Sequence, residues 1–401
     1  MIVSIIILLF FIVQSFLDQS NRFFFSKSGV RLVMLLVGFI LLQILRIYCQ
    51  LDFPDIPEYK KLFIDAKSFI DIIGGNVGFN YFISETTLEV ESGYRVFMSL
   101  FKSFSQNYSL YLFLVSIIEL TTFCFFCKKM KISVFCALPV YISLTYITFQ
   151  IGMFRQALAC CVFFLAILNL HRKWIYLGLI TIGFFFHRSM AFCVLLIWAD
   201  RFISPKYLTY AFIVSLAIYL LKIELINDLW GHFFLEDSNR VNFYLNVERE
   251  NNYLGIGFWE RVISFVVMTY CYNKLIMKQN RSEYVVYNLP DSTLSGPINN
   301  VSMKEASCKM NKKTLNNVSY NTMTVLYNLG VSVILLQMYF FSSPTITSRL
   351  RYYIVIFPMI FIVEYIRQNI NNYKKRLFFM LPVYGYLLLY LYTQASYLMR
   401  D

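Results

Sequence analysis

The sequence predicts an all-α, polytopic integral membrane protein with about twelve transmembrane helices and two larger extracytoplasmic loops. Apolar residues make up 58% of the 401-residue chain and charged residues only 15%, which is more apolar surface than one soluble core can bury. The surplus of 13 positive charges falls in short groups between apolar runs. Membrane topology explains this pattern better than a basic nucleic-acid surface, so we expect no nucleic-acid partner.

Each predicted span is a run of about 17 to 25 mostly apolar residues, the length that crosses a bilayer. The run at residues 2–17 lacks a basic leading segment and a small-residue cleavage site, so we interpret it as a retained first span. The apolar segment 174–200 is interrupted by His187, Arg188 and Ser189, and we divide it into two spans. The other spans are predicted at residues 32–48, 108–127, 132–150, 151–170, 207–223, 258–277, 324–342, 351–366 and 377–397.

The lysines and arginines between the spans predict the orientation of the chain, because cytoplasmic loops collect basic residues. Placing both termini outside puts most basic residues on one side, provided that segment 174–200 crosses the membrane twice. Residues 1–401 then form a single membrane domain with outer loops at 49–107 and 224–257. The Asn-, Ser- and Lys-rich loop at 278–323 is cytoplasmic.

The first outer loop contains an amphipathic stretch from Tyr94 to Phe104. Its apolar residues recur with the period of an α-helix, which predicts a helix that lies in the membrane interface. The apolar face of this helix carries Val96, Phe97, Leu100, Phe101 and Phe104.

Charged side chains inside spans or at their ends are candidates for function, because charge at membrane depth is costly. In the predicted topology these side chains meet at the outer ends of spans, where guanidinium groups suit the oxygens of a phosphorylated lipid. Purely structural explanations remain open. The arginine could extend its side chain to the membrane surface, the histidine could have its hydrogen bonds satisfied within the protein, and arginine with tyrosine could anchor a helix at the interface. The candidate substrate-binding residues of this kind are Arg155, Gln156, Arg188, Arg349, Arg351 and Tyr353.

Carboxylates and tyrosines in the first outer loop are the residue types that recognise sugars. Tyr59 and Tyr94 are therefore further candidates for substrate binding. A carboxylate or an imidazole could also act as general base on a sugar hydroxyl, although most loop acids are simply solvated. The candidate catalytic residues are Asp52, Asp55, Glu91 and His187.

Cofactor and metal chemistry are not expected from this sequence. The chain has three histidines, none in a spacing typical of metal ligands, and the Cys124–Cys127 pair falls inside a predicted span. We therefore predict no cofactor and no bound metal.

Five short segments occur in an order that resembles EpsG-like proteins, which are similar to the Wzy-type polymerases of bacterial O-antigen, capsule and exopolysaccharide. This resemblance implies a glycosyltransferase of the bacterial inner membrane whose active site faces the periplasm. Such an enzyme transfers a growing glycan from undecaprenyl pyrophosphate onto a lipid-linked repeat unit. The segments are Asp52–Tyr59, Glu91–Tyr94, Phe154–Ala159, Phe186–Ala191 and Ser348–Tyr353.

The same resemblance assigns Arg155, Gln156, His187 and Arg349 to the family's pocket, whereas Arg188 departs from the family pattern. It implies undecaprenyl-pyrophosphate-linked oligosaccharide and membrane lipids as partners, with a chain-length regulator and a flippase beside them. Two alternatives remain open. One is a flippase or transporter of lipid-linked oligosaccharides, and the other is an O-antigen ligase.

Overall fold

The computed structural model describes residues 2–19, 28–49, 56–75, 90–221, 256–287, 322–339 and 351–398. Every regular element within these ranges is a helix, which confirms the predicted all-α class. Asp52, Asp55 and Arg349 lie outside the described residues, as do most of the loops at 224–257 and 278–323.

Fourteen α-helices of the described ranges are numbered here in chain order, and a further helical turn at residues 351–354 precedes the thirteenth. Helix α7 continues as a π-helix, Ile142–Gln150, and α9 is followed by a 3₁₀-helix, Arg188–Leu196. The helices are α1 (Ile2–Gln19), α2 (Ser28–Cys49), α3 (Ile56–Asp65), α4 (Phe69–Ile73), α5 (Ser92–Lys102), α6 (Tyr108–Lys129), α7 (Val134–Tyr141), α8 (Phe154–Leu168), α9 (Lys173–Phe186), α10 (Pro205–Leu220), α11 (Ile256–Tyr287), α12 (Thr322–Tyr339), α13 (Ile356–Asn369) and α14 (Tyr373–Leu398).

Five of the described helices are long and apolar enough to cross a membrane: α1, α2, α6, α12 and α14. Shorter apolar helices include α8, α9 and α10. The chain is therefore a membrane protein with many apolar helices, whereas the count of twelve spans stays a prediction. The chain divides into two compact units. One contains residues 1–198 and 348–401, and the other contains residues 199–347.

The segment 174–200 turns back at the predicted polar interruption. Helix α9 ends at Phe186, and His187 has extended backbone angles before the 3₁₀-helix begins. The two arms pack side by side, since the Tyr176 hydroxyl donates to the carbonyl of Cys193 and Lys173 Nζ donates to the carbonyl of Ile197. The second arm is 3₁₀ rather than α-helical.

Side-chain caps begin several helices of the first unit. Asn107 Oδ1 accepts hydrogen bonds from the amides of Ser109 at 2.9 Å and Leu110 at 3.2 Å, where α6 starts. Ser133 caps α7 in the same manner. These contacts satisfy amide groups that have no partner within the helix, so the polar residue before each apolar run sets where the helix begins.

The described part of the first outer loop is folded into α3, α4 and α5. Lys102, at the end of α5, donates to the carbonyls of Ile64 at 2.5 Å and Ala66 at 2.8 Å. Burial lowers the pKa of Lys102, and neighbouring Lys67 lowers it further. The Ser103 hydroxyl accepts from the Phe69 amide at 3.0 Å. These contacts hold α3 and α4 against the end of α5.

The helix predicted between Tyr94 and Phe104 is present as α5, but its protein-facing side differs from the predicted face. Tyr94, Met98 and Phe101 are buried, whereas Leu100 is exposed and Phe104 is 87% exposed. Only Phe101 of these buried residues belongs to the predicted apolar face. The exposed apolar residues remain what an interfacial helix would present to lipid.

In the second unit, stacked aromatic rings connect α10 to α11 and α11 to α12. Phe212 and Phe265 stack at 3.9 Å between ring centroids, and Tyr272 and Tyr327 stack at 4.0 Å. Helix α11 continues to Tyr287, ten residues past the predicted end of its span at residue 277.

Candidate functional site

Arg155 lies in the first turn of α8 and contacts two residues from the first outer loop. Its NH1 group is 2.7 Å from Glu91 Oε2, and its Nε donates to the Tyr59 hydroxyl at 3.3 Å. The ring of Tyr59 packs edge-on against Phe154, which precedes Arg155 in the chain. Arg155 is thus an ion-paired residue that faces protein.

Glu91 connects α8 to the turn at His187. It occupies the position before the first turn of α5, yet its carboxylate makes no capping hydrogen bond to that helix. Oε2 pairs with Arg155, and Oε1 lies 3.5 Å from the backbone amide of Arg188. One carboxylate therefore bridges two segments that the sequence places about thirty residues apart, and its role as a site residue stays a prediction.

His187 begins a chain of hydrogen bonds toward Tyr353. The amide of Ser189 donates to His187 Nδ1 at 3.3 Å, and the Ser189 hydroxyl lies 2.6 Å from the same nitrogen. The Tyr353 hydroxyl lies 3.1 Å from the Ser189 hydroxyl. Because Nδ1 accepts from the Ser189 amide, the proton of the neutral ring belongs on Nε2. This arrangement leaves Nε2 of His187 to donate, and the role of His187 as general base stays a prediction.

Tyr59 and Tyr94 are buried, so they cannot stack on a sugar in this conformation. Tyr94 packs edge-on against Tyr59, and burial raises its pKa well above the usual value of a tyrosine. Both residues belong to a hydrophobic cluster that joins α3, α5, α6 and the start of α8. Tyr59 instead supports a charged residue, since its hydroxyl accepts from Arg155, and the sequence pattern does not distinguish this role from substrate contact.

Three other predicted residues lie farther from solvent or point elsewhere. Gln156 is buried on α8, and Tyr353 is buried beside Phe163. The Arg351 guanidinium lies 5.3 Å from the ring centroid of Tyr390 on α14. These positions fit residues that support the site by packing against neighbouring helices rather than by contacting a ligand.

A buried ion pair beneath the site was not predicted. Arg46 NH1 lies 3.0 Å from Glu119 Oε2, and both side chains are almost completely buried. Arg46 also donates to Ser116, and its guanidinium carbon lies 4.8 Å from the ring centroid of Phe154. The signal was available, because opposite charges in two apolar spans are expected to find each other. Arg46 and Glu119 are 73 residues apart in the chain, so nothing local in the sequence pairs them.

The groups that a ligand could reach are mostly charged. The Arg155 side chain is 27% exposed and that of Glu91 is 11% exposed. Arg188 is exposed and His187 is half-buried. This surface offers guanidinium groups, an N–H donor and one carboxylate, a set that suits phosphate and hydroxyl groups.

Gly93 lies where the start of α5 closely approaches the end of α9. A Cβ atom at Gly93 would lie 2.7 Å from the carbonyl oxygen of Phe185, near the end of α9. Since this contact is with backbone, α5 or α9 would have to move apart. We expect Gly93→Ala to separate Glu91 from the turn at His187 and to reduce activity about tenfold or more, as a displacement of about 1 Å can cost up to 10²-fold.

The control for Gly93→Ala is Gly178→Ala on α9, where a Cβ atom would meet nothing within 4 Å. Activity of both variants is measured at equal amounts of membrane-inserted protein. Equal activity of Gly93→Ala and Gly178→Ala would show that the close approach does not matter.

The residues described by the structure contain no group of three or more His, Cys, Asp or Glu side chains placed to hold a metal ion. Whether the chain works without a metal stays a prediction.

The fold and this site define an α-helical membrane protein whose charged groups meet where the segment before α5 contacts the ends of apolar helices. The model of the EpsG family matches residues 31–398, and the chain belongs to this family. Membership indicates a polysaccharide polymerase-like role. No curated protein and no solved structure is significantly similar to the chain.

Proposed function

We propose that this protein is a Wzy-type polymerase of a bacterial surface polysaccharide. It transfers a growing glycan from undecaprenyl pyrophosphate onto a lipid-linked repeat unit. The reaction takes place at the periplasmic face of the inner membrane, and no metal takes part.

One observation carries this proposal: residues from separate segments of the family resemblance meet at one place. Tyr59 and Glu91 contact Arg155, and the second oxygen of Glu91 lies beside the amide of Arg188. Through Ser189, the same turn reaches Tyr353 from the last segment. Because segments so distant in sequence meet, we favour one shared site over the alternative that each of the five segments only anchors the chain at the membrane interface.

The donor needs little covalent help, because lipid pyrophosphate is already a good leaving group. The acceptor hydroxyl attacks the anomeric carbon, the bond to the diphosphate oxygen breaks, and the hydroxyl proton goes to a base. Arg155, with Arg188 and Arg349, would stabilise the negative charge that develops on the diphosphate. His187, as an N–H donor, would assist them.

The general base is proposed to come from the outer-loop carboxylates. Glu91 is engaged by Arg155 through Oε2, so Asp52 and Asp55 are the stronger candidates. Binding two lipid-linked substrates side by side also supplies proximity, worth about 7 to 11 kcal/mol where the geometry is good.

A transporter is the main alternative from another class, since it would need a polar pathway through the membrane. Two polar side chains within apolar helices, Glu119 and Gln337, have partners that favour packing instead. Glu119 pairs with Arg46, and the Gln337 side chain accepts from Arg261 Nε at 3.1 Å. These contacts make a polymerase the better proposal.

Deletion of the gene tests the function directly. We expect the mutant to carry surface glycan of single repeat units, because units still reach the periplasm and are still attached but are not joined. Gel electrophoresis of the surface glycan, with a complemented strain as control, measures the chain-length distribution.

Other results would identify the alternatives. Long polymer that remains on its lipid carrier would indicate a ligase. Repeat units that accumulate facing the cytoplasm would indicate a flippase. Unchanged long chains on the cell surface would contradict all three roles.

A further inference from the structure

A cavity lies at the other end of the helices that support the candidate site. Its volume is about 640 Å³, and its lining includes residues from α1, α2, α6, α7, α13 and α14. Helix α6 has Tyr111 in the aromatic cluster beside the candidate site and Lys128 in the wall of this cavity. With 22 residues, α6 is about 33 Å long, which is close to the thickness of a bilayer core. If α6 crosses the membrane, the cavity lies at the level of the headgroups opposite the candidate site.

The lining of the cavity is strongly basic. Five cationic residues line it, against one acidic residue, Asp18. Asp18 pairs with Arg31 at 3.0 Å and accepts a hydrogen bond from the Ser133 hydroxyl at 2.9 Å. It is thus already engaged by two neighbours. The cations are Arg31, Lys128, Lys131, Arg367 and Arg376.

Three of these cations have no carboxylate partner in the described part of the chain. Arg367 pairs with Glu364, as Arg31 does with Asp18. Lys128, Lys131 and Arg376 form no such ion pair within the described ranges, although Arg376 Nε donates to a backbone carbonyl at 3.0 Å. A cavity with three uncompensated positive charges attracts an anion.

Lys131 occupies a backbone position that normally belongs to glycine. Its φ is 57°, and it is the residue after the C-cap of α6, where the amide of Ile132 bonds to the carbonyl of Cys127 at 2.9 Å. Glycine is the usual residue at this position of a Schellman motif, because a side chain there is strained. A lysine kept in a strained position suggests that its ammonium group has a use.

Apolar side chains lie next to the cations in the same wall. Leu35 and Phe125 line the cavity, and Phe125 is exposed. A free inorganic anion would gain nothing from these neighbours, whereas a lipid presents a charged head and apolar chains together. Basic pockets between transmembrane helices bind anionic lipid headgroups in this manner.

We propose that this cavity binds the phosphate of an anionic membrane phospholipid, with Lys128, Lys131 and Arg376 as the main contacts. The bound lipid would sit in the leaflet opposite the candidate site. The proposal depends on the membrane location of the chain and not on its polymerase function.

The test measures lipid binding by the full-length protein, purified in neutral detergent, with phosphatidylglycerol as the probe. The test variant is Lys128→Gln with Lys131→Gln, both exposed residues of the cavity wall. The matched control is Lys129→Gln with Lys375→Gln, which removes the same charge from exposed lysines outside the lining. We expect roughly 30-fold weaker binding in the test variant and little change in the control.

Further measurements distinguish an anionic lipid from a neutral lipid and from free inorganic phosphate. Equal binding of phosphatidylcholine, or equal weakening in both double variants, would overturn the proposal. Thermal stabilisation by inorganic phosphate that matches stabilisation by phosphatidylglycerol would overturn the assignment to a lipid. The lipid-free unfolding midpoint of each variant shows whether it is folded. If the test variant misfolds, Lys131→Gln alone replaces it, and unchanged binding by that single variant counts against the proposal.

Discussion

Cells that carry Arg155→Ala are expected to display single repeat units in place of long chains, with polymer output reduced about 10²-fold or more. The loss follows from removing a guanidinium that would steady the departing diphosphate. Its side chain is partly exposed, so membrane insertion should persist. Surface glycan is analysed by gel, and protein amount by immunoblot of membranes. Long chains of normal length from this variant would exclude Arg155 from the reaction.

A charge swap separates binding of substrate from structural pairing. The variant with Arg155→Glu and Glu91→Arg retains an ion pair in reversed orientation. If the pair is only structural, the swap should restore polymer relative to either single change. If Arg155 contacts the diphosphate, the swap should restore folding but not polymer. Arg172→Ala, at an exposed arginine just beyond the other end of α8, is the control for loss of a positive charge.

The second large effect is expected at the buried pair of Arg46 and Glu119. Arg46→Ala should destabilise the protein by about 3–5 kcal/mol, because it leaves a carboxylate buried without its charge partner. Thermal unfolding in detergent, followed by size-exclusion chromatography, measures this loss. Arg31→Ala on the same helix is the control. Arg31 is 46% exposed, so loss of its pair with Asp18 should cost less than about 1 kcal/mol.

Removing both charges at this pair should recover most of the stability. Arg46→Met with Glu119→Leu replaces the pair with apolar side chains of similar size, which is often neutral for a buried ion pair. A stable double variant that polymerises normally would assign the pair to folding alone. A stable double variant without activity would show that Arg46 helps to position Phe154 and Arg155. Single variants as stable as the unmodified protein would contradict the expected cost of an isolated buried charge.

The helices could largely be predicted from the sequence because lipid imposes a strong pattern. Apolar runs of sufficient length became helices, and the polar triplet at His187 marked the turn between α9 and the 3₁₀-helix. The 3₁₀ geometry of the second arm and the π-helix after α7 were not predicted, because both depend on packing against neighbours rather than on local composition.

The candidate site could be predicted in part. Arg155 and His187 were chosen as candidates because charged and hydrogen-bonding groups are rare near membrane spans, and Glu91 because loop carboxylates suit sugar hydroxyls. Their partners could not be deduced, since Glu91 and Arg155 are 64 residues apart and meet through the packing of α3, α5 and α6 against the start of α8. The burial of Tyr59 and Tyr94 was missed for the same reason: amphipathic periodicity does not indicate which face of a loop helix contacts protein.

The shortness of α8 and α9 has a consequence for the surrounding lipid. With 15 and 14 residues these helices are about 22 and 21 Å long, less than the roughly 30 Å of hydrocarbon in an ordinary bilayer. Helix α8 is largely buried in protein, whereas α9 has exposed apolar side chains such as Trp174 and Ile182, so a mismatch of this size at α9 would thin the adjacent bilayer. Arg155, at the start of α8, would then meet a lipid-linked pyrophosphate below the general plane of the headgroups, in a local depression of the membrane surface.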